Sequence, residues 1–448
     1  MGPQAAPASC QKLVKTSALP ASQVSSLGVH QVGEVVRFDV PAGTGTISII
    51  SQASGGVADT ITLRSGGKSV VLDNTVVPTQ LLLPSGALLY DDTANPPVDG
   101  STASVWYVGD SPVTSAMTLP NTTKALTSSR SGYPSGRWSL TVNDYASECL
   151  NITGCSGGST QGTYDITVLL KPVAPSTGTV DLAFYFVTAS SSATQALADA
   201  HVQRFLSTLA VLFGRAGLCL GTITFYDVPS WAKNKWATGI DATKTSPCDG
   251  LDQMFTLSQP GNTLNYFLVD SITQGASSTV GQVVGIDGAI AGPSSIGGTV
   301  HSGAVVNFSD YASGKGCSGS PNFSTCGADA TAYITAHEGG HWLGLYHTTE
   351  MMGGDSDPLS DTPQCECSTA CGVSASAQKC CYDPTTATGF AGACSSGQFT
   401  TLTGTNCAQS SSPCGGADSL MFWLLHSAAA GHLSAQQAQV VRANPAVH

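Results

Sequence analysis

Charge is scarce along this chain: 17 lysines and arginines face 29 aspartates and glutamates, and together they make up only 10% of the residues. The shortage is greatest on the positive side, which leaves a net charge of −12 and no basic block. A surface of that sign repels phosphate backbones, so a nucleic-acid partner is not expected. Long apolar runs are missing too. Stretches such as Val180–Val187 fall well short of the roughly 18 residues that a membrane helix requires, so no transmembrane segment is expected. The first residues, MGPQAAPASC, contain no apolar signal-peptide core. A leader, if there is one, is expected outside the sequence as given. No internal repeat is found.

What the chain does have is glycine, apolar residues and cysteine. With 448 residues it is too long for one ordinary core, so two or three domains are expected. A hydrophobic share of 41% excludes a disordered chain, and 50 glycines point to β-structure with long loops. The 15 cysteines argue for an oxidising compartment, hence a secreted or extracellular protein. Cys149 with Cys155, and Cys317 with Cys326, can each close a short loop. Cys219 and Cys248 share one region, and eight more cysteines crowd between Cys365 and Cys414. These eight read as a disulfide staple rather than a second metal site, with pairings open. Cys10 is left alone; a lipid anchor there would lack the usual aliphatic residue before it.

The pattern changes along the chain. After an N-terminal extension (1–29), residues 30–172 read as an all-β module. Apolar alternation recurs in Val35–Val40, Ser69–Leu72, Ser104–Val108, Trp138–Val142 and Tyr164–Leu170, with turn residues between. That is the pattern of a sandwich with one buried face per sheet, and it resembles the jelly-roll accessory domains of secreted bacterial proteases. Residues 173–179, rich in Pro, Ser and Gly, read as a linker. From 180 to 448 the reading is α/β, with an upper half (180–346) and an irregular, disulfide-rich lower half (347–448). Val180–Val187 suits a central strand, and Val202, Phe205, Leu209 and Leu212 follow at helical spacing. Further strands are expected at Gly221–Asp227, Leu264–Asp270, Gln282–Ile286 and Ala304–Phe308. A second long helix is expected at Ala328–Leu343, and a last one from Ser434, whose spacing to Gln437 fits a capping box.

The decisive segment runs from His337 to His347 and reads HEGGHWLGLYH. On a helix His337 and His341 lie one turn apart on one face and can aim both imidazoles at one ion. Glu338 stays beside the first ligand, within reach of a water on that ion. A third ligand on the same helix would lie too far round, but Gly344 can take the left-handed conformation that ends a helix and returns His347 to the ion. Three neutral imidazoles leave one position open on zinc, the arrangement of a catalytic site. Zinc lowers the pKa of water to about 7, and Glu338 would serve as general base toward a peptide bond. With histidine at 9 of 448 residues, the whole pattern arises by chance on the order of once in 10⁵ such chains.

HExxHxxGxxH is the metzincin signature, and here it is complete. The resemblance implies a methionine turn beneath the zinc, for which Met421 is the candidate; Met351 and Met352 follow His347 too closely. Gly354, Asp355 and the run Asp361, Thr362, Pro363 after the third histidine resemble the pappalysin family. That family carries a tyrosine two residues after the turn methionine, where its hydroxyl can help hold the oxyanion. This chain has Trp423 there, which lacks that phenol. Asp355, Asp357 and Asp361 make an oxygen-rich loop suited to calcium, whose plainer reading is a set of Asx-turns. The resemblance therefore implies a zinc endopeptidase, with calcium as a second cofactor, acting as a monomer on a protein or peptide substrate. Two alternatives stay open: a silent metal-containing adhesion protein, and a zymogen whose N-terminal module covers the cleft.

Overall fold

The computed structural model describes residues 23–55, 61–65, 68–72, 75–91, 114–145, 163–242, 250–259, 261–273, 283–348, 356–362, 418–423, 425 and 430–448. The expected strand at Ser104–Val108, the cysteines at 10, 149, 155 and 248 and those from 365 to 414 lie outside them, as does Asp355.

The N-terminal part is built from β1 (Gln23–Gln31), β2 (Val35–Val40), β3 (Thr44–Gly55), β4 (Ile61–Ser65), β5 (Lys68–Leu72), β6 (Thr75–Leu82), β7 (Leu88–Asp91), β8 (Thr114–Leu119), helix α1 (Thr123–Ser131), β9 (Gly136–Tyr145) and β10 (Thr163–Pro172). Two four-stranded sheets form, in the orders β1-β10-β3-β8 and β2-β9-β6-β7, while β4 and β5 pair as a hairpin. Alternation explains their packing. Val36, Phe38, Trp138, Leu140 and Val142 from one sheet meet Ile47, Ile49, Ile166 and Val168 from the other in a single core. β-structure begins at Gln23, earlier than the boundary of 30, because β1 pairs with β10 along its length. Its polar sequence and its exposed Val24 and Val29 conceal it from a hydrophobic pattern. One feature of the alternation expectation fails. Every residue of β8 is buried, so this part of the sheet is covered on both faces.

Residues 173–177 lead to the second part. It contains β11 (Gly178–Phe186), α2 (Ala193–Ala196), α3 (Ala200–Arg215), β12 (Leu218–Asp227), α4 (Ser230–Trp236), β13 (Ile240–Asp241), α5 (Gly250–Phe255), β14 (Thr263–Val269), β15 (Ile272–Thr273), β16 (Gly285–Asp287), β17 (Ala304–Asn307), α6 (Gly327–Trp342) and α7 (Ala435–Ala443). The five-stranded sheet has the order β12-β11-β14-β17-β16. β11 pairs in parallel with β12 and β14, and β14 with β17; β16 is antiparallel and lies at the edge. β16 is shorter than the expected Gln282–Ile286 run and starts at Gly285.

From Leu182 to Phe186 strand β11 is unbrokenly apolar, because both its faces are buried there. Leu182, Phe184 and Phe186 pack with Phe205, Leu209 and Leu212 of α3 and with α6. Ala183, Tyr185 and Val187 pack on the other side with Trp236, Met254 and Phe255. The whole is a mixed, β-rich fold with more than one core.

One buried ion pair fixes where α6 begins. Asp329, in the first turn and fully buried, accepts from Arg204 Nε at 2.7 Å and Nη2 at 2.8 Å, and from the Asn322 N–H at 2.8 Å. A carboxylate also suits the positive end of a helix. The Cys317–Cys326 disulfide closes the loop leading into the same turn. Asp329→Ala would strand the Arg204 guanidinium, and a urea titration should show a loss of about 3–5 kcal/mol. A loss under about 1 kcal/mol, the size typical of an exposed pair, would mean that the pair does not anchor the helix.

Candidate metal centre

Helix α6 is buried at all but one of its positions, so its histidines lie in a protein interior. His337 and His341 occupy one face, as the four-residue spacing dictates. The helix ends at Trp342; Gly344 then has φ +106°, with its N–H on the His341 carbonyl and the Leu345 N–H on the Gly340 carbonyl. A side chain is strained at that φ, which is why glycine serves there. The turn brings His347 back. His337 Nε2 lies 3.2 Å from His341 Nε2 and 3.1 Å from His347 Nε2, and the latter two are 3.1 Å apart.

Backbone carbonyls select the tautomers. His337 Nδ1 lies 2.7 Å from the Leu420 carbonyl, and His341 Nδ1 lies 2.7 Å from that of Leu345. A carbonyl only accepts, so each Nδ1 carries the proton and each Nε2 lone pair points inward. Burial pushes His337 down to about 3 and His341 well below the usual histidine range, and the neighbouring imidazoles push the same way. Converging lone pairs on neutral rings repel unless a cation lies among them. A triangle of this size lets one small ion reach all three corners at ~2.0–2.1 Å, which fits zinc. Among the described residues this is the group of histidines, cysteines and acids close enough to hold a metal ion.

Glu338 is not one of the three grouped side chains. Its carboxyl packs on the backbone of Gly285 in the edge strand β16, where a side chain of any size would collide with it. Burial pushes its pKa up to about 8, opposed by the Asp287 N–H that donates to it. At neutral pH such a carboxyl is poised between holding and releasing a proton.

The two positions between Glu338 and His341 are glycines for a steric reason. A methyl group on Gly339 would overlap the Tyr266 hydroxyl, and one on Gly340 would overlap the Met421 sulfur. The helix is thus pinched between the central sheet and the segment 418–423. Met421 is fully buried there, and its carbonyl accepts from the Thr348 N–H at 3.0 Å. The neighbouring Leu420 supplies the carbonyl that orients His337. Trp423 is half-buried, and its indole N–H has no hydrogen-bond partner among the described residues. Tyr266, Gly285 and the two orienting carbonyls escape a sequence reading. A carbonyl has no residue-type signature, and the other two meet the motif only through the sheet.

Asp357 and Asp361 lie apart from the histidines. Asp357 is buried and accepts from the Leu359 N–H, Thr362 Oγ1 and Gln437 Nε2. Asp361 accepts from Ser434 Oγ at 2.7 Å and the Gln436 N–H at 2.9 Å, at the start of α7. Both carboxylates hold the loop after His347 on that helix.

No family model matches the chain, and no curated protein does. Among solved structures, metalloproteinase-II from Bacteroides fragilis aligns at 13% identity and a TM-score of 0.21, covering 43% of this chain and 59% of that one. A Bacillus subtilis protein aligns at 7% identity and a TM-score of 0.13, covering 52% of this chain and 46% of its own. A family two carbohydrate esterase from Cellvibrio japonicus aligns at 10% identity and a TM-score of 0.14, covering 56% and 67%. At such scores the likenesses are too weak to assign a fold.

Proposed function

We propose that this chain is a secreted, zinc-dependent endopeptidase of the metzincin kind, nearest to the pappalysins, with its metal on His337, His341 and His347. The observation that supports it is the convergence of three Nε2 atoms, two of them on buried rings whose outer nitrogens are tied to backbone carbonyls. A bound zinc ion supplies Lewis acidity there, polarising a peptide carbonyl and bringing the pKa of water to about 7.

The remaining steps belong to the chain. Glu338 takes the proton of the attacking water on its carboxylate and returns it to the departing amine. The Asp287 N–H keeps that carboxyl turned toward β16, while Gly285 gives it room. The outer edge of β16 is the natural place for an extended substrate, which would add as one more strand beside Glu338. A silent adhesion protein would have no need of an intact Glu338 packed this closely.

Incubation with 1,10-phenanthroline should abolish cleavage of casein, and added Zn²⁺ should restore it. Cleavage that persists after elemental assay finds the protein free of transition metal would end this reading.

A further inference from the structure

The doubly buried strand β8 shows that the N-terminal sandwich is covered from outside its own core. Ile50, Ala116 and Leu169, on the face away from that core, pack against Ile296 of the second part. Leu126 of α1 joins the core of α3, α6 and α7 rather than that of the sandwich.

Polar contacts follow helix α7 from end to end. At its start Thr123 Oγ1 donates to Gln436 Oε1 at 2.6 Å, and Arg130 Nη2 donates to Gln439 Oε1 at 2.9 Å. At its end Thr46 Oγ1 donates to the Ala443 carbonyl at 2.8 Å. Lys171 then closes the grip. Its ammonium donates to the carbonyls of Arg442 at 2.8 Å, Asn444 at 3.1 Å and Val447 at 2.6 Å, and the residue is only 4% exposed. An ammonium has three donors, and here each finds a backbone carbonyl at or just beyond the end of the helix, where carbonyls lack partners within the helix. Burial lowers the pKa of this lysine, to about 7, and the negative end of the helix works against that by favouring the charged form.

The grip reaches the metal centre through Asn444, which is fully buried. Asn444 Oδ1 accepts from Ser294 Oγ at 3.0 Å, and Nδ2 faces the Trp342 carbonyl at 3.5 Å, one residue beyond His341. Val440 of α7 packs beneath Gly344, the turn that returns His347.

We propose that the N-terminal sandwich is a permanent part of the catalytic body, clamped by Lys171 to the C-terminal helix that supports the turn delivering His347. Cleavage in 173–177 is then not an activation step, and the zymogen alternative is set aside. The clamp stands on the contacts alone; only its bearing on catalysis rests on the peptidase reading.

The test uses the full chain with a specific protease site inserted between Ala174 and Pro175. After nicking, the two pieces should elute together from a size-exclusion column in physiological buffer, and casein turnover should match that of the uncut protein. In nicked Lys171→Met the three hydrogen bonds of the ammonium are lost, and the pieces should part with an apparent dissociation constant raised at least ~100-fold. Should Lys171→Met fail to fold, nicked Thr46→Val should part at a lower urea concentration than nicked wild type. Wild-type pieces that separate without denaturant, or turnover that rises on their separation, would overturn the proposal. So would nicked Lys171→Met or Thr46→Val pieces that hold together as firmly as wild type. An absence of casein cleavage in every form, with elution as expected, would count against the peptidase reading and leave the clamp intact.

Discussion

Glu338→Ala is expected to keep one zinc per chain while casein cleavage falls by about 10²–10⁴-fold, the range of a lost general base. Retention follows from how the histidines are held. His337 is oriented by the Leu420 carbonyl and His341 by that of Leu345, and neither contact involves Glu338. The loss of turnover follows because, among the described residues, no carboxylate lies within the histidine group to take over the proton transfer. Replacing the side chain by a methyl group also removes a group that burial holds near pKa 8, so folding should suffer little. Elemental analysis beside a casein assay gives both quantities. Wild-type turnover in this variant would refute the mechanism, whatever its zinc content.

His341→Ala should have the larger effect, because it removes the ligand and not only the base. Two imidazoles would remain, and a two-nitrogen site in a protein interior holds zinc far more weakly than a three-nitrogen one. His341 is also buried against the turn through the Leu345 carbonyl, so its loss frees the segment that returns His347. After dialysis the variant should carry no stoichiometric zinc, and cleavage should fall below detection. Far-UV circular dichroism should stay that of wild type, because the cores around Trp138 and Phe267 lie elsewhere. A variant that still bound one zinc and cleaved casein would show that the three histidines are not the metal site.

The metal group is legible in the sequence because its parts are local. His341 follows His337 at i+4 on the helix, and one glycine turn returns His347, so spacing alone carries the geometry. The central strand and α3 are legible for a similar reason, since unbroken apolar runs and 3.6-residue periodicity mark buried elements. The capping box of α7 is likewise visible at Ser434 and Gln437, and both of its hydrogen bonds form. Helix α1 is not legible, because Thr123–Ser131 is rich in Ser and Thr and has little apolar pattern. Strand β8 is missed because its sequence, TSAMTL, shows no alternation, which follows from burial on both faces.

By itself the amino-acid sequence placed three imidazoles and a neighbouring carboxylate within eleven consecutive residues, by helical pitch and one positive φ. Short-range backbone geometry is enough for that. Only the tertiary structure decided why glycines fill positions 339 and 340, which carbonyls turn the rings, and that Lys171 closes a helix end more than 270 residues away. Those outcomes depend on which surfaces the core brings together, and no spacing along the chain encodes them.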